Sequence, residues 1–120
     1  YEIFLFDTET QEPPRRVTYG LLGITGSVDW SPDGRYLLVS AGPPRDKDIF
    51  RYEIETSIMT RFTAGGNNNS AVYSPDGEFI VFNSLRNNDQ ADLYTMRADG
   101  NDLKQITDNA EPDWQPQWEP

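Results

Sequence analysis

The side chains of this sequence that could do chemistry are carboxylates. The 120 residues include 20 Asp and Glu against 10 Lys and Arg, and they include neither His nor Cys. The sequence therefore offers no imidazole general base, no thiolate nucleophile and no His or Cys metal ligand. It also lacks the Gly-x-Ser-x-Gly segment that presents a catalytic serine in hydrolases. We predict a chain with no catalytic residues, no metal site and no cofactor.

The carboxylates are better explained by turns than by catalysis. A pair of carboxylates can act as acid and base, but Asp33 and Asp76 lie in Ser-Pro-Asp-Gly segments and Asp99 precedes a glycine. Pro at the second position and Gly at the fourth are typical of a type I turn. The oxygen-rich stretch 87–92 lacks the Gly and the terminal Glu of an EF-hand calcium loop. We interpret these residues as turns and surface loops.

A repeat organises the chain. The segment Trp30-Ser31-Pro32-Asp33-Gly34 recurs 43 residues later as Tyr73-Ser74-Pro75-Asp76-Gly77, and Trp118-Glu119-Pro120 starts a third copy. Apolar pairs follow in step, with Ile3-Phe4, Ile49-Phe50 and Leu93-Tyr94 at matching places. Several landmarks in the same order indicate a repeat architecture. Its defining residues are Trp30, Pro32, Asp33, Gly34, Tyr73, Pro75, Asp76, Gly77, Trp118 and Pro120.

The repeat predicts an all-β fold of β-propeller blades, each with four antiparallel strands. Segments 36–39 and 79–82 are apolar at successive positions, so both of their faces must be covered. The strands that follow are more polar, as outer strands should be, and no segment has a helical period. We predict about two and a half blades. Residues 1–27 give strands three and four of a first blade, 28–70 a second blade, 71–115 a third, and 116–120 the first strand of a next one.

These motifs resemble the TolB-like family of WD-like β-propeller repeats. Trp30-Ser31-Pro32-Asp33-Gly34, Asp92-Leu93-Tyr94-Thr95-Met96 and the stretch 103–107 carry the resemblance, while Glu119 stands where Ser is usual and 42–45 replaces a Ser-x-Arg segment. The resemblance implies a non-catalytic, protein-binding scaffold similar to TolB of the Tol-Pal envelope system. It also implies a periplasmic location and outer-membrane lipoprotein partners. The absence of Cys leaves the cytosol open as well.

Two other functions stay open on the same resemblance. One is an accessory propeller that gates a prolyl-oligopeptidase-type serine peptidase, and the other is a segment of a propeller lyase with its catalytic residues elsewhere. A formal charge of −10 disfavours nucleic acid and anionic membranes as partners, and no stretch is apolar enough for membrane insertion. We expect the partner to be another protein, or further blades from the same chain or a second copy.

The longer loops are the predicted partner surface. In a four-stranded blade, the loops between strands two and three open at the same end as the loops that join successive blades. These loops are longer and more polar than the Ser-Pro-Asp-Gly turns, and long loops on a rigid scaffold are where binding usually occurs. The predicted partner-binding residues are Arg45, Asp46, Asn67, Asn68, Arg86, Asn87, Asn88 and Trp114.

Overall fold

The fold consists of short β-strands joined by turns. It is seen in a computed structural model that describes residues 1–120 except for the side chain of Ser27, and these described residues contain no helix. The strands are β1 (Phe4–Leu5), β2 (Arg15–Arg16), β3 (Thr25–Trp30), β4 (Tyr36–Ala41), β5 (Asp48–Glu53), β6 (Met59–Arg61), β7 (Asn69–Tyr73), β8 (Phe79–Asn87), β9 (Gln90–Arg97) and β10 (Lys104–Gln105).

The strands form a hairpin followed by two blades. β1 pairs with β2, while two four-stranded sheets have the orders β3-β4-β5-β6 and β7-β8-β9-β10. All pairings are antiparallel, and each strand pairs with its neighbour in sequence. We refer to the β3–β6 sheet as blade one and to the β7–β10 sheet as blade two. This meander is the architecture of a propeller blade, so the predicted all-β, four-stranded fold is confirmed.

Each blade opens on a tight turn formed by its Ser-Pro-Asp-Gly segment. In blade one the Gly34 N–H donates to the Ser31 carbonyl at 2.9 Å, and Gly34 has a φ of +73°, which glycine adopts without a Cβ penalty. The Asp33 carboxylate accepts from the Ser31 hydroxyl at 2.6 Å. That hydrogen bond is the main reason why the pKa of Asp33 lies below its ordinary value, and Asp76 repeats the arrangement with Ser74.

The apolar core lies between neighbouring sheets. Leu38 and Ile49 of blade one pack with Ile80 and Phe82 of blade two in one buried cluster. The adjacent residue Leu37 belongs to a different cluster, which includes Val17, the residue directly after β2. Successive side chains of β4 are thus buried on opposite faces, as its apolar sequence predicted. Each such side chain stabilises the fold by about 1.5–3 kcal/mol.

The structure differs from the predicted blade limits. β3 begins at Thr25 and β7 at Asn69, so the predicted limits at 27/28 and 70/71 fall inside strands. The register of both strands shifts against the partner strand, with two extra residues in β3 and one in β7, and such extra residues interrupt the alternation that locates a strand in a sequence. Residues 116–120 form no strand, because no described strand pairs with their backbone. The Trp118 indole instead donates to the Val72 carbonyl at 3.3 Å.

Candidate functional site

The longer loops of both blades meet at one end of the molecule, termed the loop end. The Asn68 N–H donates to the Lys47 carbonyl at 2.7 Å, which joins two loops of blade one. The Leu85 N–H donates to the Gly66 carbonyl at 2.7 Å, which joins blade one to blade two. The loop end comprises residues 42–47, 62–68, 86–90 and 106–115.

A buried carboxylate holds the loop end of blade one together. Asp48, the first residue of β5, is only 4% exposed. Its Oδ1 accepts from the Thr63 hydroxyl at 2.8 Å, the Gly65 N–H at 3.0 Å and the Asn68 side-chain amide at 3.2 Å. Its Oδ2 forms an ion pair with Arg61. Four donors thus compensate a charge that would otherwise be costly to bury, and we term this arrangement a carboxylate clasp.

A second clasp joins the ends of the β1–β2 hairpin. Glu2 accepts hydrogen bonds from the Thr18 hydroxyl, from the Gly20 N–H at 3.1 Å and from Arg16 at 2.7 Å. The hydrogen bond from Thr18 is the largest cause of a Glu2 pKa below its ordinary value. The acid, threonine and arginine therefore hold the same relative places as in blade one.

The clasp of blade two is incomplete. Asp92 is fully buried, and its Oδ2 accepts from the Asn87 amide at 3.1 Å and the Gln105 amide at 3.3 Å. Its Oδ1 has no hydrogen-bond partner among the described residues. Gln105 occupies the place that Arg61 has in blade one, so the cation is missing. Asp113 corresponds to Asn68 of blade one, since its N–H donates to the carbonyl of residue 91 at 2.7 Å. Its side chain is a carboxylate, so it cannot donate to Asp92 as the Asn68 amide donates to Asp48.

Several predicted partner residues are anchored within the loop end. Asn68 is fully buried, so the prediction that it lies on the partner surface is wrong: its amide completes the blade-one clasp. Arg86 donates to the Asn68 Oδ1 at 2.8 Å, and its guanidinium lies 4.9 Å from the centre of the Tyr94 ring. Asn87 donates to two aspartates, and the Asn67 Oδ1 accepts from the backbone N–H of residue 47 at 3.3 Å. These side chains fix the loops.

Arg86 is exposed in spite of these contacts, and the other predicted partner residues are also exposed at the loop end. Arg45, Asp46 and Asn88 are exposed, and Trp114 is 55% exposed. Arg45 and Asn88 have positive φ values of 64° and 54°, which is the backbone of tight loop tips. Exposed side chains therefore stand on loops that buried polar groups hold in place.

Sequence reasoning missed the carboxylates of the clasps, although the repeat contained the signal. Glu2, Asp48 and Asp92 each come directly before one of the three aligned apolar pairs. An acid that recurs directly before an apolar pair needs hydrogen-bond donors once it is buried. The threonines Thr18, Thr63 and Thr107 recur in step with these acids.

Among the described residues, no group of three or more His, Cys, Asp and Glu is arranged to hold a metal ion. Within the same residues, no helix is long and apolar enough to cross a membrane.

Comparisons with known proteins match this architecture. A family model described as TolB beta propeller domain matches residues 1–120. An uncharacterized protein of Agrobacterium fabrum is 40% identical over 88 residues, which are 72% of this chain and 30% of the relative. The Tol-Pal system protein TolB of Anaeromyxobacter dehalogenans is 32% identical over 92 residues, or 77% of this chain and 21% of the relative.

A solved structure resembles the chain as well. The structure of putative TolB from Agrobacterium tumefaciens superposes with a TM-score of 0.76 at 37% sequence identity, covering 86% of this chain and 36% of that one. The chain thus spans less than a third of the two curated relatives, at 30% and 21% of their lengths.

Proposed function

Since the chain belongs to the TolB β-propeller domain family, we propose that it is a non-catalytic, protein-binding part of such a propeller and that its loop end contacts the partner. Relatives that carry the name Tol-Pal system protein TolB favour this function over the peptidase-gating and lyase alternatives. A periplasmic location and a lipoprotein partner are part of the same proposal, by analogy with the family.

The observation that carries the proposal is the contrast between exposed side chains and fixed loops. Trp114 is 55% exposed, and tryptophan and arginine are the residue types that contribute most at protein interfaces. Arg45 is exposed on a neighbouring loop of the same end. Because hydrogen bonds already hold these loops, binding has little ordering entropy to overcome.

The charge of the loop end indicates what kind of partner it suits. Asp46, Asp89, Asp108 and Glu111 are all exposed there, and the whole chain carries a formal charge of −10. Opposite charge on a partner steers association and favours the correct orientation. We therefore propose a partner surface with basic side chains around an apolar patch that receives the exposed tryptophan.

The test compares two variants that each carry three substitutions to alanine. Arg45→Ala/Asn88→Ala/Trp114→Ala removes exposed side chains of the loop end and leaves the clasps intact. Its control, Arg35→Ala/Glu78→Ala/Leu103→Ala, removes exposed side chains away from the loop end. Affinity for the soluble domain of the Pal lipoprotein should fall at least about tenfold in the first variant and stay unchanged in the control. Equal affinity of the first variant and the wild type, with both folded, would contradict the proposal.

A further inference from the structure

A cleft opens between the two blades at the end opposite the loop end, beside the Ser-Pro-Asp-Gly turns. We term this the turn end. The cleft has a volume of about 490 Å³. The side chains that matter for its chemistry are Tyr36, Arg51, Tyr73, Asp33, Asp76 and Asp99.

Tyr73, one of the residues that line this cleft, has a buried hydroxyl without a partner. Tyr73 is 8% exposed, and its phenol oxygen has no hydrogen-bond partner among the described residues. Burial raises the pKa of Tyr73 above its ordinary value, with Arg51 opposing the shift, so the hydroxyl stays protonated and can donate. Leaving such a group unsatisfied costs about 1–3 kcal/mol. A ligand whose acceptor oxygen reaches this hydroxyl would remove that cost.

A fixed cation lines the same cleft. The Arg51 guanidinium lies 4.5 Å from the centre of the Tyr36 ring and 4.9 Å from that of Phe62. One of its N–H groups points to the Ala98 carbonyl at a long 3.4 Å. No carboxylate lies within ion-pair distance of Arg51 in the described part of the chain. Guanidinium and phenol together offer charge-assisted hydrogen bonds to a carboxylate.

The rim of the cleft has the opposite charge. Asp33, Asp76 and Asp99 are all exposed. Hydrogen bonds within their turns hold the pKa of each below its ordinary value, the largest contributions coming from Ser31, Ser74 and the Asn101 N–H respectively. The three carboxylates are therefore ionised at neutral pH, and they attract cations to the mouth of the cleft.

We propose that the cleft binds a small amino carboxylate, with its carboxylate on Arg51 and Tyr73 and its cationic nitrogen between the rim aspartates. The negative rim would repel a simple anion, and the Arg51 guanidinium would repel a simple cation. Only a ligand with both charges satisfies the donors inside and the acids outside. The site is independent of the loop end and of its protein partner.

The ligand class is tested by calorimetric titration of the 120-residue chain with matched probes. Glycine, β-alanine and γ-aminobutyrate carry both charges at increasing separation, whereas acetate and ethylammonium each carry one. At least one amino carboxylate should bind saturably and at least about tenfold more tightly than either single-charge probe, as expected for one further charge-assisted hydrogen bond or ion pair. Absence of saturable binding, or equal binding of acetate, overturns the proposal.

The site is tested by two substitutions and a control. Tyr73→Phe removes only the unpartnered hydroxyl, so it should weaken binding about tenfold without lowering the thermal unfolding midpoint. Asp99→Asn keeps the turn but removes one rim charge, and it should weaken binding several-fold at low salt. Tyr94→Phe, in the same core cluster but outside the cleft, should bind as the wild type does. Binding that either of the first two substitutions leaves unchanged overturns the assignment.

Discussion

The two blades have the same strand order but treat an equivalent buried acid differently. Asp48 of blade one has four donors, including the arginine that neutralises it. Asp92 of blade two is just as buried but has two amide donors, and its Oδ1 has no partner among the described residues. The two blades therefore share their strand order, but they do not share the hydrogen bonds that compensate the buried acid.

Two residue differences explain the contrast between the clasps. Arg61 of blade one is replaced by Gln105 of blade two, which keeps a hydrogen bond to the following threonine carbonyl but supplies no charge. The second difference replaces Asn68 by Asp113, an acceptor where a donor stood. The four-stranded fold tolerates both changes because neither residue contributes to the apolar core. We infer that blade one has the more firmly held loop end.

Removing the buried acid should reveal the largest difference in stability between the two blades. Asp48→Ala leaves the Thr63 hydroxyl and the Gly65 N–H without an acceptor, so the free energy of unfolding should fall by about 3 kcal/mol. Asp92→Ala should cost about 1 kcal/mol, because both of its donors have a second acceptor. Urea denaturation of the two variants measures the difference. Equal costs would contradict the contrast.

Removing the cation alone should have a smaller effect. Arg61→Gln copies blade two into blade one: glutamine can keep the bond to the Thr63 carbonyl, but the ion pair with Asp48 is lost. We expect a loss of about 1–2 kcal/mol, discounted because the arginine side chain is half exposed. Arg35→Gln, which removes a longer and more exposed ion pair at 3.6 Å, serves as the matched control and should cost nearly nothing. A near-neutral Arg61→Gln would mean that Asp48 is satisfied without its cation.

The reciprocal change should gain stability. Gln105→Arg supplies blade two with the cation that Asp92 lacks, and the long side chain can follow the path that Arg61 takes in blade one. The free energy of unfolding should rise by up to about 1 kcal/mol. This gain is smaller than the loss in Arg61→Gln, because the Asp113 side chain still offers Asp92 no donor. A destabilised Gln105→Arg would show that blade two has rearranged around the uncharged side chain.

The smallest expected effect concerns the clasp of the β1–β2 hairpin. The Glu2 pKa is lowered on folding, mainly by the Thr18 hydroxyl, so its contribution to stability is present above the ordinary pKa of 4.5 and is lost as pH falls through the lower folded value. Thr18→Val should return the Glu2 pKa towards 4.5. Carboxyl titration by NMR measures the change, with Asp33 as an internal control that should not move.

The fold was predictable because its determinants are local. The Ser-Pro-Asp-Gly turns fix the hairpin between strands one and two of each blade, and the doubly apolar segments 36–39 and 79–82 must be covered on both faces. The bulges in β3 and β7 were not predictable in the same way. They add two residues to β3 and one to β7, and the alternation of polar and apolar side chains does not reveal where.

The candidate site was predictable only in part. Topology alone brings the loops to one end, and the exposure of Trp114 follows from its place outside the strands. The burial of Asn68 was missed, because a run of asparagines after two glycines is typical of an exposed turn. Its burial depends on Asp48 and Arg86, which are distant in sequence, and long-range polar partners leave no periodic signal in a single chain.

The firmer loop end of blade one can be measured directly by native-state hydrogen exchange. The Asn68 and Asp113 amides make equivalent hydrogen bonds of 2.7 Å to the carbonyls of residues 47 and 91. A difference in their protection therefore reports the surrounding clasps rather than the bonds themselves. We predict that Asn68 exchanges at least about tenfold more slowly than Asp113 after correction for intrinsic rates, a difference of about 1.4 kcal/mol in local opening. Equal protection, or a better protected Asp113, would contradict the difference between the clasps.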